Sequence, residues 1–202
     1  MINFLSKAEQ NRRFRLGYWY AFQASSKRKN WKNIFALWYS AAGSGHKRSQ
    51  FYLGTCYDNG LGVEKDIEGA FKWYLQAAAQ GHMESQYNIG FFYRKGELVK
   101  QDHKKAVKWF TLSAEQGDTE AQRDLGVCYF YGEGVKEDFR KAVYWYKKAA
   151  RKNDPKSFYN LGLCYKHGHG VGQSNRWAKY YFEKANKLGH NDAKKQLKRL
   201  II

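Results

Sequence analysis

The chain is 202 residues long, with 36 Lys+Arg against 18 Asp+Glu for a formal net charge of +18, and 18% of its residues are aromatic. That length fits one domain, and no apolar run approaches the ~20 residues needed to cross a bilayer. A charge this large steers acidic partners toward the chain and disfavours basic ones.

Met1 to Leu5 is too short for the apolar stretch of a signal peptide, and Lys7, Arg12, Arg13 and Arg15 follow at once, so no cleavable signal is expected. Residues 12–48 anticipate the pattern of the rest of the chain in degenerate form. Leu16-Gly17-Tyr18-Trp19-Tyr20 has the form L-G-x-x-Y, and Ile34, Leu37, Trp38, Ala41 and Ala42 follow at helical spacing. Gly17 lies 37 residues before Gly54, one more than the period that follows, so an extra residue is expected in the loop near Ser25–Asn30.

From there the register is fixed. Gly54, Gly90, Gly126 and Gly162 are 36 residues apart, and Tyr57, Tyr93, Tyr129 and Tyr165 keep step with them. A period of this size means a stacked repeat array. Within one unit, Ala121, Leu125, Gly126 and Tyr129 form one face of a helix A, which Gly132-Glu133-Gly134 ends. Asp138 then caps a helix B carrying Ala142, Trp145, Tyr146, Ala149 and Ala150; Asp66, Asp102 and Ser174 hold the same cap position. Gly81, Gly117 and Gly189 close the other units, with Asn153 in their place in this one, and Pro155 sits at the next helix start. Periodic Trp73, Trp109 and Trp145 read as core. At the far end Ala193, Leu197 and Ile201 begin another helix A, which Lys194, Lys195, Lys198 and Arg199 surround as a polar cap.

The pattern A-x3-L-G-x2-Y-x2-G-x-G-V-x2-D-x2-K-A-x2-W-Y-x-K-A-A resembles the Sel-one-like repeat (SLR), a longer-looped relative of the tetratricopeptide repeat. Residues 49–84, 85–120, 121–156 and 157–192 match as four units, with 1–48 as an N-terminal cap and degenerate repeat and 193–202 as a capping helix. Leu98 replaces the second loop glycine, Gly69 the usual lysine, and Tyr181-Phe182 the Trp-Tyr pair. The resemblance implies an all-α, right-handed superhelical solenoid of antiparallel helix pairs in a single domain. It also implies a protein that binds other proteins, as adaptor, assembly factor, inhibitor or immunity protein, without catalysis of its own.

Chemistry is sparse. Cys56, Cys128 and Cys164 share one repeat position; layers ~8–10 Å apart hold them beyond disulfide reach, so reduced thiols and a cytoplasmic setting are expected. Cys164-x2-His167-x-His169 is not a zinc spacing, and the G-x-G loops lack any phosphate-loop context. No acid, base or nucleophile set can be assembled, so no enzyme, cofactor or metal is expected.

Net charge by segment is +9 over 1–48, then −3, +1, +4 and +3 over the four units, and +4 over 193–202. Helix A turned away from helix B should line a concave groove. Its stripe comprises Phe14, Tyr18 and Phe22, then Phe51 and Thr55, then Tyr87, Phe91, Arg94 and Lys95. Arg123, Val127, Phe130 and Tyr131 follow, then Tyr159, Leu163, Lys166 and His167, with Lys195 and Arg199 closing it. Aromatic and arginine side chains of this kind make binding hot spots, so the expected partner is an acidic protein or peptide anchored on Arg94, Arg123 and Phe130. Nucleic acid is the alternative, held by the basic ends and the same aromatics.

Overall fold

A computed structural model describes residues 4–25 and 29–200. Part of the Ser25–Asn30 loop, the expected helix position of Ile201 and the first three residues lie outside the described residues. The chain forms two compact units, Met1–Lys100 and Gln101–Ile202. The first holds α1 (Lys7–Tyr18), α2 (Trp31–Gly43), α3 (Lys47–Asn59), α4 (Ile67–Ala79) and α5 (Met83–Lys95). The second holds α6 (His103–Gln116), α7 (Thr119–Tyr131), α8 (Phe139–Ala150), α9 (Pro155–His167), α10 (Asn175–Lys187) and α11 (Asn191–Leu200). Within each unit every helix packs on the next in sequence, and the described residues contain no strand.

The helix starts are capped as the sequence suggests. Asp66, Asp102 and Asp138 each accept the backbone N–H three residues on at 2.9 Å, and Ser174 does so at 3.3 Å. Asn153 adopts φ +61° and stands in for glycine at the close of α8.

Helix A meets helix B through a missing side chain. A Cβ on Gly54, Gly126 or Gly162 would lie 2.7, 2.6 or 2.5 Å from a ring carbon of Tyr74, Tyr146 or Phe182. Those three rings are buried, as is Phe110. The second aromatic of each helix-B pair therefore faces helix A. This corrects the expectation for the tryptophans: Trp145 is buried, but Trp73 and Trp109 are only half-buried.

A second close approach joins each loop to the preceding helix B. A Cβ on Gly62, Gly134 or Gly170 would lie 2.2–2.3 Å from the carbonyl oxygen of Trp31, His103 or Phe139, the first residue of that helix. All three glycines also have φ near +70°, so both sterics and backbone exclude a side chain there. Leu98 holds the equivalent position without a left-handed backbone and is exposed.

The extra residue of the degenerate repeat is taken up inside the helix rather than in the loop alone. α1 runs on into a π-helical turn, Trp19–Gln23, closed by Ala24 N–H to Trp19 carbonyl at 2.9 Å. Such a turn absorbs a one-residue insertion. Trp38 then comes into register over Gly17, where a Cβ would meet its ring at 2.6 Å. The first unit's core gathers Phe14, Ala21, Ile34, Trp38 and Cys56. The second unit's core runs through Ala142, Tyr146, Leu161, Cys164, Phe182 and Ala193, with Leu197 and Leu200 of α11 packed against it.

Candidate functional site

The candidate surface is the outward stripe of the A helices, α1, α3 and α5 in the first unit and α7, α9 and α11 in the second. What positions it is the start of the following A helix. His46, His82, Asp118 and Asp154 cap these helices, accepting the N–H of Ser49 (3.2 Å), Ser85 (3.4 Å), Ala121 and Ser157 (both 2.7 Å). The histidines accept through Nδ1, which requires the neutral ring. Burial lowers the pKa of His46, helped by Arg48, and burial lowers that of His82 against the pull of Glu84.

Three of these caps, His46, His82 and Asp154, meet a side chain of the preceding A helix, and so does His190 just before α11. His82 stacks on Phe51 with centroids 4.6 Å apart, and His190 stacks on Tyr159 at 4.3 Å. His46 lies 5.0 Å from Phe14. In the third repeat the pair is ionic: Arg123 Nη1 reaches Asp154 Oδ2 at 3.4 Å, and its Nε reaches Asp124 Oδ1 at 3.0 Å. The Arg123 side chain is only 14% exposed. Its charge is met by the buried Asp124 and the half-buried Asp154.

In the first unit two groups of stripe residues come together. Tyr18 and Phe22 lie 4.8 Å apart, both exposed, and each is within 5.9 Å of Tyr52. Phe14 beneath them is buried and belongs to the core. On α5, Tyr87 and Phe91 are half-buried at 6.5 Å, and the Arg94 guanidinium and Lys95 ammonium lie 5.5 and 5.7 Å from the Phe91 ring. Phe51 is half-buried under its histidine.

The second unit is more dispersed. Phe130 is half-buried and packs between Phe139 (5.1 Å) and His169 (5.4 Å). Tyr131 is 68% exposed. Lys166 donates to Gln196 at 2.9 Å, Lys195 pairs with Asp192 at 3.1 Å, and Arg199 and His167 are exposed.

Three buried glutamines complete the frame and escaped the sequence reading. Gln50, Gln86 and Gln122 each donate Nε2 to the carbonyl eight residues back, of Ala42, Ala78 and Ala114, at 3.0–3.2 Å. They satisfy the open end of the preceding helix B. Their spacing of 36 was the available signal. The cysteines are buried thiols, and burial pushes Cys56 and Cys164 up to about 12, far from a reactive thiolate. No helix among the described residues is long and apolar enough to cross a membrane.

Comparison with known proteins bears on both fold and repeat. No curated protein matches the chain. A crystal structure of a Sel1 repeat protein from Oxalobacter formigenes is 33% identical, with 93% of this chain and 76% of that one covered at a TM-score of 0.82. The protein c5321, a protective antigen of uropathogenic Escherichia coli strains with an SLR fold, is 34% identical over 93% of this chain and 40% of its own, TM-score 0.86. The immunity protein Pa5087 from Pseudomonas aeruginosa shares the fold at 21% identity, covering 94% of this chain and 69% of its own, TM-score 0.54. The Sel1 repeat itself matches at residues 47–82, 84–118, 119–154 and 156–190. With four matched repeats and the α-solenoid fold of relatives a third identical in sequence, the chain belongs to the Sel1 repeat family.

Proposed function

We propose that this Sel1 repeat protein is a non-catalytic scaffold that captures an acidic segment of a partner protein on the helix-A face of its first unit. The observation that carries this reading is the α5 cluster, where two cations flank the half-buried Phe91 ring. A guanidinium takes a carboxylate in a bidentate pair, and an aromatic beside it excludes water from that pair. Tyr18 and Phe22 offer exposed rings for apolar side chains of the same segment. The +9 charge of residues 1–48 speeds the approach of an acidic partner. Adaptor and immunity-type roles are both forms this scaffold can take. A reducing, cytoplasmic setting belongs to the same reading, since all three thiols are buried as packing residues.

The test is affinity capture from native lysate with the full chain and an R94E/K95E variant. A saturable acidic partner retained by the first and lost by the second, with both proteins shown to be folded by circular dichroism, is the expected result. Equal capture by both removes α5 from the binding face.

A further inference from the structure

We propose that the outer face of α8 and α10 binds single-stranded nucleic acid, at a surface separate from the helix-A face. On α8, Arg140, Tyr144, Lys148 and Arg151 fall at i, i+4, i+8 and i+11, one stripe of a helix. On α10 the same positions, 36 residues on, are Arg176, Tyr180, Lys184 and Lys187. On α6 they are Lys104, Lys108, Leu112 and Glu115, so the aromatic-and-basic row occurs twice within this unit and stops there.

The geometry suits stacking beside charge. Tyr144, Trp177 and Tyr180 are 51%, 49% and 43% exposed. Lys148 Nζ lies 4.9 Å from the Tyr144 ring and Lys184 Nζ 5.7 Å from the Tyr180 ring. Beside the rows, Tyr165 of α9 has Lys147 Nζ of α8 at 6.0 Å and Trp177 of α10 at 6.1 Å. Residues 139–152 hold six basic side chains and no acidic one. Lysines neutralise phosphates, and exposed rings stack on unpaired bases whatever their sequence.

The other polyanions fit less well. Bases stacked inside a duplex cannot reach the rings. An acidic peptide can pair with the cations but carries no row of flat rings to cover the exposed tyrosines. An anionic membrane requires an apolar side to bury, yet the exposed side chains of α8 are Arg140, Lys141, Tyr144 and Lys147, and the one exposed aliphatic side chain beside them is Leu188, just past the end of α10.

Fluorescence anisotropy of a labelled oligothymidylate of about 15 nucleotides, the order of one such site, tests this with the full chain. The strand should bind and weaken as salt rises. Y144A/Y180A should bind about tenfold or more weakly, with its circular-dichroism melt unchanged because both rings are exposed. K148A/K184A should lower the logarithmic salt slope by about 0.7 per lysine. The inference is overturned by no binding at low salt, by equal affinity for a duplex of the same length, or by undiminished binding of Y144A/Y180A. Displacement of the strand by polyglutamate or anionic vesicles at matched charge overturns it in favour of those partners. R94E/K95E should bind the strand as the parent does, so this result and that of the capture test are read independently.

Discussion

Arg123 and Asp154 form an ion pair where the first and fourth repeats stack two rings. The residues are 31 apart, as are Phe51 and His82, and Tyr159 and His190. This place, between an A helix and the start of the next, is filled by aromatic stacking at Phe51 and Tyr159 and by opposite charges at Arg123, while Tyr87 and Asp118 hold it in the second repeat. The cap bond survives the exchange, because a carboxylate oxygen accepts the helix N–H as an imidazole nitrogen does.

Arg123→Met should therefore destabilise the protein by about 3 kcal/mol, the usual penalty for leaving a buried charge unpaired. Asp154 and Asp124 would both lose their counter-ion at 10% and 7% exposure. Combining Arg123→Tyr with Asp154→His rebuilds the ring pair of the next repeat and should restore part of that loss, with Asp124 still lacking the guanidinium. Urea denaturation of the single and double variants reads both effects.

Gly126→Ala should cost about 1–3 kcal/mol as overpacking, because its new methyl lies 2.6 Å from the Tyr146 ring with the Ala142 carbonyl at 3.3 Å behind it. Gly43→Ala, in the last turn of α2 with nothing within 4 Å, should instead stabilise by about 0.4–1 kcal/mol through the unfolded chain. Opposite shifts in melting temperature are the expected signature. Equal shifts would mean that the helix A–helix B contact does not depend on the missing side chain.

Acid should weaken the first unit before its carboxylate caps respond. The folded-state pKa values of His46 and His82 lie below the ordinary 6.5, chiefly because burial disfavours the charged ring. The unfolded chain then binds more protons, so their contribution is complete above about pH 6.5 and is lost as pH falls through the lower folded values. His46→Asp with His82→Asp, the cap used at positions 118 and 154, should flatten the fall of stability that begins below about pH 6.5. Melting temperature against pH for the two proteins checks this; parallel curves would dismiss the histidine caps as the cause.

Much of the fold was legible because it is local and periodic. The caps Asp66, Asp102, Asp138 and Ser174 act within three residues, and Asn153 betrays its left-handed turn by standing where other repeats carry glycine. The surface was less legible, because exposure is decided by residues far along the chain. Arg123 looks like a surface cation until Asp154 meets it, and Phe130 looks like an open ring until Phe139 and His169 close on it. The Trp-Tyr pairs show the same limit. Helical spacing puts both residues near the core, and only the depth of the Gly126–Tyr146 contact decides that the second goes in further.

The loop glycines Gly62, Gly134 and Gly170 press on Trp31, His103 and Phe139, the first residues of the preceding B helices. Each such contact also spans 31 residues. The repeat is thus held in two overlapping phases: within the A–B hairpin, where Gly126 meets Tyr146, and from one B helix to the following loop, where Gly134 meets His103. A recombination or engineered splice at the start of a B helix keeps the second contact and parts the first, whereas one at the start of an A helix keeps the first and parts the second.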